Sequence, residues 1–150
     1  MKRPQIGVIG AGECNEKIFK LAEEVGRGIA RKNAIMICGA LSGVMEAAAK
    51  GAKDENGTTL GILPGKKRED ANPYIDIAVV SDLGEARNAL IARSSDVLIA
   101  VSGGYGTLSE IAMSLKMGKK VVLLECQWDI EGTYKASNPE EAVEMAFGFL

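Results

Sequence analysis

The chain has 150 residues, 47% of them hydrophobic and 25% charged, with a formal net charge of −2 and no histidine. That is enough for one domain with a full core, in the composition range of ordinary soluble globular proteins. It excludes Ser-His-Asp and Cys-His mechanisms and any histidine-ligated metal, and it offers too little positive charge to attract bulk nucleic acid.

From the N-terminus onward, short β-branched runs alternate with helical patterns. The opening, MKRPQIGVIGAG, has too short an apolar run for a signal peptide, and no later run approaches a membrane span. QIGVIG (5–10) reads as a strand, followed by the glycine turn GAGECN and a helix over 15–31 capped by Asn15. AIMIC (34–38) is a second strand, followed by GALSG and a helix over 43–53 capped by Ser42. TTLGIL (58–63) and YIDIAVV (74–80) are the third and fourth strands, with PGKKREDANP (64–73) between them as a charged loop. A helix over 84–94 starts behind Asp82, and DVLIAV (96–101) is the fifth strand. SGGYGT then leads into a helix over 106–117 with Thr107 as its cap. KVVLL (120–124) is the sixth strand, and Asn138-Pro139 opens a last helix over 139–147.

Several of these strands are apolar on both parities, as strands covered on two faces are. The alternation predicts an α/β chain forming a single domain over 1–150, a three-layer α/β/α sandwich with a mostly parallel sheet. Cys14, Cys38 and Cys126 are odd in number, far apart and without C-x-x-C spacing. That pattern points away from disulfides and from any metal site, and toward a reducing cytoplasm.

In such a sheet, the loops at the carboxyl ends of the strands form the ligand crevice. Three glycine-rich loops converge there, containing Gly10 and Gly12, Gly39 and Gly43, and Ser102-Gly103-Gly104-Tyr105-Gly106-Thr107. A dinucleotide fingerprint would place a third glycine where Asn15 stands and an acid where Cys38-Gly39-Ala40 stands. The sequence therefore argues against NAD and leaves a mononucleotide or sugar phosphate open. In the third loop, glycines let backbone N–H groups approach an anion at a helix N-terminus. Thr107-Leu108-Ser109-Glu110 also matches a capping box, which accounts for Thr107 and Glu110 without any ligand.

Arg87 lies inside the apolar arc of its helix, between Leu90 and Ile91. A cation facing the sheet needs an anion, whether a ligand phosphate, Glu110 or a structural partner, unless its side chain reaches past the core to water. Met113 and Met117 lie away from the Leu108–Ile111–Leu115 face, as core or as a subunit contact.

Assembled, these motifs resemble the LOG-like proteins, the family often labelled "possible lysine decarboxylase", within the Rossmann-like SLOG superfamily. Its P-G-G-x-G-T-x-x-E signature is similar to Ser102–Glu110, with serine in place of proline. Its G-G-G-x-x-G-L-M motif resembles Gly39-Ala40-Leu41-Ser42-Gly43-Val44-Met45 in part, and its M-H-x-R-K segment matches at Arg87, with Asn88 where lysine would stand. The SGG-containing branch, which includes molybdenum cofactor carrier-like proteins, resembles the chain more closely.

The resemblance implies a Rossmann-like fold with a phosphate on the Gly103–Thr107 loop and Arg87 and Glu110 at the family's catalytic positions. It gathers Gly10, Gly12, Gly39, Gly43, Met45, Asn88, Ser102, Gly103, Gly104, Gly106 and Thr107 as the nucleotide- or phosphate-binding set. Two activities follow: hydrolysis of the N-glycosidic bond of a nucleoside 5′-monophosphate, or carriage or sensing of a phosphorylated ligand such as molybdenum cofactor. Beyond a bound nucleotide or pterin phosphate no cofactor is required, and no lysine stands in a pyridoxal phosphate context. The implied partner is a small phosphorylated molecule, with assembly as a homodimer or higher homo-oligomer. DNA-processing proteins share the superfamily fold, but the acidic balance here argues against nucleic acid, and no membrane association is expected.

Overall fold

A computed structural model describes residues 2–150. Its elements are β1 (Gln5–Gly10), α1 (Glu16–Arg31), β2 (Ile35–Cys38), α2 (Val44–Asp54), β3 (Thr58–Leu63), β4 (Ile77–Val80), α3 (Asn88–Ser94), β5 (Val97–Val101), α4 (Tyr105–Lys116), β6 (Lys120–Leu124), β7 (Tyr134–Ala136) and α5 (Pro139–Gly148). Single 3₁₀ turns cover Arg68–Asp70 and Gly84–Arg87. The seven strands form one sheet in the order β4-β3-β2-β1-β5-β6-β7, with every pairing parallel.

This is a Rossmann-like α/β/α sandwich. One face packs Val8, Met36, Val97 and Ile99 beneath α1, α2 and α5; the other packs Ile9, Ile37, Leu98 and Ala100 beneath Ile91 of α3 and Ile111 of α4. Each large side chain buried in these layers contributes roughly 1.5–3 kcal/mol. The α1–α2 contact is close because glycines meet backbone reciprocally. A Cβ on Gly26 would lie 1.9 Å from the Ala48 carbonyl oxygen, and one on Gly51 would lie 1.9 Å from that of Glu23.

Asn15 and Asn138 cap their helices as expected, their side-chain oxygens accepting from the amides of Ile18 (2.9 Å) and Glu141 (2.8 Å). Three other expected caps are corrected. Ser42 lies outside α2, whose cap is Gly43 at φ 70°, and its hydroxyl instead donates to the Gly12 carbonyl at 2.8 Å. Asp82 precedes the capping position, Leu83, and makes no capping bond. Thr107 is the third residue of α4, not its cap, because the helix starts earlier, behind Gly104.

The fourth strand is shorter than expected. Around Tyr74–Asp76, side chains take over backbone bonding: Asn72 Oδ1 accepts from the Tyr74 amide, and the Asp76 carboxylate accepts from that of Thr59, both at 3.0 Å. The seventh strand was not expected, because YKA is three residues long and carries no apolar run. The expected helix over 84–94 divides into a 3₁₀ turn and the short α3.

Candidate functional site

The chain order of the sheet reverses between β1 and β5, the position at which this architecture opens its ligand crevice. A cleft of about 230 Å³ lies there. It is bounded by Gly10 at the end of β1 and Gly12 after it, Gly39 and Met45 around the β2–α2 turn, Arg87 and Asn88 at the start of α3, Gly104 just before α4, and Gly106, Thr107 and Glu110 on α4. Three expected residues do not reach it. Ser102, at φ 53°, and Gly103, at φ 130°, form the turn beneath α4, and a Cβ on Gly103 would lie 2.5 Å from that of Thr107. Gly43 fits the α2 start against the first loop, where a Cβ would meet the Ala11 carbonyl oxygen at 2.3 Å.

Val8, Ile9 and Ala11 also line the cleft and were missed. Their only signal is position, at the end of the first strand beside its glycines. Asn72 was missed too. Its side-chain amide donates to the carbonyls of Ala40 (3.2 Å) and Leu41 (2.8 Å), holding Ala40 at φ 71° beside Gly39.

The glycines sort into two kinds. A Cβ on Gly10 would collide with Val101 and Val44, so that glycine lets β1 close on its neighbours. Gly12, Gly104 and Gly106 lack left-handed φ values, and a Cβ on any of them would meet nothing within 4 Å. No contact within the protein explains these three, and all of them line the cleft.

The first turn of α4 has no side-chain cap, and its internal bonding begins with the Leu108 amide donating to the Gly104 carbonyl at 3.0 Å. The amides of Tyr105, Gly106 and Thr107 therefore have no partner in the helix, and the helix dipole concentrates positive potential at that end. This arrangement removes the capping-box account, since Glu110 lies within α4 and forms a wall of the cleft.

Arg87 is 8% exposed, and its Nε is buried with no hydrogen-bond partner. Its guanidinium rests on Gly39, where a Cβ would lie 2.0 Å from Nη1 and 2.7 Å from the Met45 sulfur. That contact explains why residue 39 is glycine. Burial draws the Arg87 pKa down, while the charges of Glu110 and Cys38 oppose the shift. Glu110 is 7% exposed, and burial pushes its carboxyl up to about 7 against the pull of Arg87. No ion pair or hydrogen bond joins the two among the described residues. A buried cation with an unpaired donor costs several kcal/mol until an anion meets it.

Arg87 and the free α4 amides thus face one cleft, and their chemistry suits an anionic oxygen group. The volume falls below the roughly 300–1,000 Å³ of sites that enclose a drug-sized ligand. It is suited to a phosphate and its attachment, with the rest of a ligand extending through the mouth.

The protein-family model described as the SLOG cluster4 family matches residues 3–146. Among solved structures, the molybdenum cofactor binding protein from the phototrophic bacterium Rippkaea orientalis superimposes with a TM-score of 0.93 at 39% identity, covering 99% of this chain and 98% of that one. The molybdenum cofactor carrier protein of Chlamydomonas reinhardtii superimposes at 0.88 with 36% identity and the same coverages. A cytokinin riboside 5′-monophosphate phosphoribohydrolase of Rhodococcoides fascians is 36% identical over 99 residues, which span 63% of this chain and 50% of that enzyme.

Proposed function

We propose, for a chain that belongs to the SLOG cluster4 family and so to the LOG-like group, that the cleft binds a small phosphorylated ligand and that the protein carries or senses it. The ligand is a nucleotide or a pterin phosphate such as molybdenum cofactor. One observation carries this reading: the buried Arg87 Nε without a partner, in the same cleft as the uncapped start of α4. A phosphate there accepts charge-assisted bonds from Arg87, each worth roughly 1.5–3 kcal/mol, and from the amides of Gly106 and Thr107. The carrier reading is favoured by the match along the whole chain to proteins described as binding or carrying molybdenum cofactor, against half the length of the phosphoribohydrolase. Among the described residues no three His, Cys, Asp or Glu side chains gather as a metal site.

A second reading, hydrolysis of the N-glycosidic bond of a nucleoside 5′-monophosphate, is favoured by Glu110. Its carboxyl is free of any capping bond and sits near neutrality, where it can act as acid or base. Self-association belongs to the same proposal, through the surface where Met113 and Met117 lie beside Arg93 and Lys116. No helix among the described residues is long and apolar enough to cross a membrane.

The test is incubation of the purified protein with nucleoside 5′-monophosphates and with a pterin phosphate. Thermal protection and release of free base are followed together. Saturable protection that Arg87→Ala abolishes, without base release, is the expected result. Release of base and ribose 5-phosphate that Glu110→Gln abolishes transfers the assignment to the hydrolase. Neither protection nor release overturns both readings.

A further inference from the structure

We infer that Cys126 and Gln127, at the start of the β6–β7 loop, are positioning residues for the phosphate turn after β5. They hold two successive carbonyls of that turn and so aim its amides at the ligand. This assignment rests on the reading of the cleft as a phosphate site and adds a part of the chain, outside the cleft lining, on which that site depends.

The turn contains Ser102 at φ 53° and Gly103 at φ 130°. The matching turn after β2, with Ala40 at φ 71°, is held by the Asn72 carboxamide. After β5 the hold comes from the far side of β6. The half-buried Cys126 thiol donates to the Ser102 carbonyl at 3.3 Å, with the carbonyls of Ala100 and Leu124 at 3.5 and 3.8 Å. The Gln127 carboxamide donates to the Gly103 carbonyl at 3.4 Å. Burial pushes the Cys126 thiol up to about 11, so it keeps its proton and stays a donor. The chain reaches this position through Glu125, itself left-handed at φ 55° and paired with Lys17 at 3.5 Å.

A trans peptide unit carries its C=O and N–H on opposite edges. Fixing the Ser102 and Gly103 carbonyls against the β6–β7 loop therefore turns the amides of Gly103 and Gly104 away from it. Neither amide donates to a backbone carbonyl among the described residues, and Gly104 lines the cleft. They stand directly before the amides of α4 that have no partner in the helix. The orientation of this row of donors thus depends on two side chains that the cleft does not touch.

The experiment measures dissociation constants of inorganic phosphate and AMP by calorimetry, together with the amide NMR signals of Gly103 and Gly104 and the Tm. The proteins are the parent, Cys126→Ala, Cys126→Ser and Gln127→Ala. Cys126→Ala is expected to bind both probes roughly 2- to 10-fold more weakly, the effect of one lost hydrogen bond, and to shift both glycine signals before any ligand is added. Cys126→Ser keeps an O–H donor and is expected to restore affinity and signals. Gln127→Ala, at an exposed position where folding is not at stake, is expected to weaken both probes and shift the Gly104 signal. Variants that lose Tm yet bind as the parent does, with the glycine signals in place, reduce these contacts to packing and overturn the positioning role. Equal weakening by Cys126→Ser and Cys126→Ala overturns it too, since the donor would then be irrelevant. In both cases the phosphate site stands. Failure of the parent to bind either probe overturns the phosphate site and this assignment with it.

Discussion

Gly106 offers a direct test of why the α4 loop is rich in glycine. It is the second residue of α4, has no left-handed φ, and an added Cβ would meet nothing within 4 Å. On structural grounds alone, alanine is the better residue. Glycine in a helix is about 0.8–1.0 kcal/mol less favourable than alanine, and a compatible Gly→Ala change gains about 0.4–1 kcal/mol by restricting the unfolded chain. Gly106→Ala is therefore expected to raise stability by about 0.5–1 kcal/mol, or roughly 1–4 °C in Tm for a domain of this size.

Gly106 also lines the cleft beside the α4 amides that have no partner in the helix, so the same methyl group is expected to crowd a phosphate bound there. Displacing a phosphate from one charge-assisted bond removes roughly 1.5–3 kcal/mol, a 10- to 150-fold loss of affinity. Thermal melts of the parent and Gly106→Ala, with and without the phosphate probe, give both quantities at once. Gly12→Ala makes a parallel change on the opposite side of the cleft. The expected pattern is a higher Tm without ligand and a smaller shift with it. A variant that gains Tm and binds the probe as the parent does refutes the reasoning, because glycine would then serve no ligand. A variant that loses Tm refutes the structural half.

Two further outcomes follow from the same geometry. The folded pKa of Glu110 is raised above its ordinary value of 4.5, so its contribution to stability is fully present below that value and is lost as pH rises through about 7. The difference is about 3 kcal/mol. Urea unfolding at pH 5 to 8 is expected to show Glu110→Gln gaining on the parent as pH rises, and parallel pH profiles for the two proteins refute a buried, titrating Glu110. Ser102→Pro restores the proline of the P-G-G signature, yet proline holds φ near −65° while Ser102 sits at φ 53° and its amide donates to the Leu124 carbonyl at 3.0 Å. A loss of about 3 kcal/mol is expected, seen as a Tm lower by roughly 6–12 °C; an unchanged Tm shows that the turn readily adopts another form.

The sheet was legible because its central strands are short apolar runs between glycines and caps, and local pattern and tertiary packing agree there. The edges were less so. Tyr74–Asp76 has strand-like composition, but Asn72 and Asp76 divert the backbone with side-chain bonds, and β7 is too short to register as a pattern. Arg87 stood out because its position on the helical arc conflicts with its charge, and that conflict survives folding as a donor without a partner. Glu110 was ambiguous for a definite reason. T-x-x-E reads the same whether threonine precedes a helix or lies in its third position, and the start of α4 behind Gly104 accompanies a close local fit of Gly103 against Thr107 that the motif does not encode.

That shift of the helix start has chemical consequences. With Thr107 as cap, its hydroxyl and the Glu110 carboxylate would have satisfied the first amides of the helix, closing it to any ligand. With the start behind Gly104, the amides stay free and Glu110 turns into the cleft. The residues that turn the chain into this start are ones the cleft does not touch, Ser102 and Gly103 with positive φ; Gly43, pressed against Ala11, does the same for α2. Of the glycines the cleft touches, Gly10 and Gly39 are fixed by packing against Val101 and Arg87, whereas Gly12, Gly104 and Gly106 have no packing reason to be glycine. The loops thus divide into a strained frame and an open lining. A frame of that kind costs stability, roughly 1–2 kcal/mol for each non-glycine residue held left-handed, and Ala40 and Ser102 are held so at the ends of the two strands that feed the cleft. Asn33 and Asn56, at the opposite end of the sheet, are also left-handed, but asparagine adopts that conformation at low cost; alanine and serine do not, and Ala40 and Ser102 lie beside the cleft with its unpaired donors.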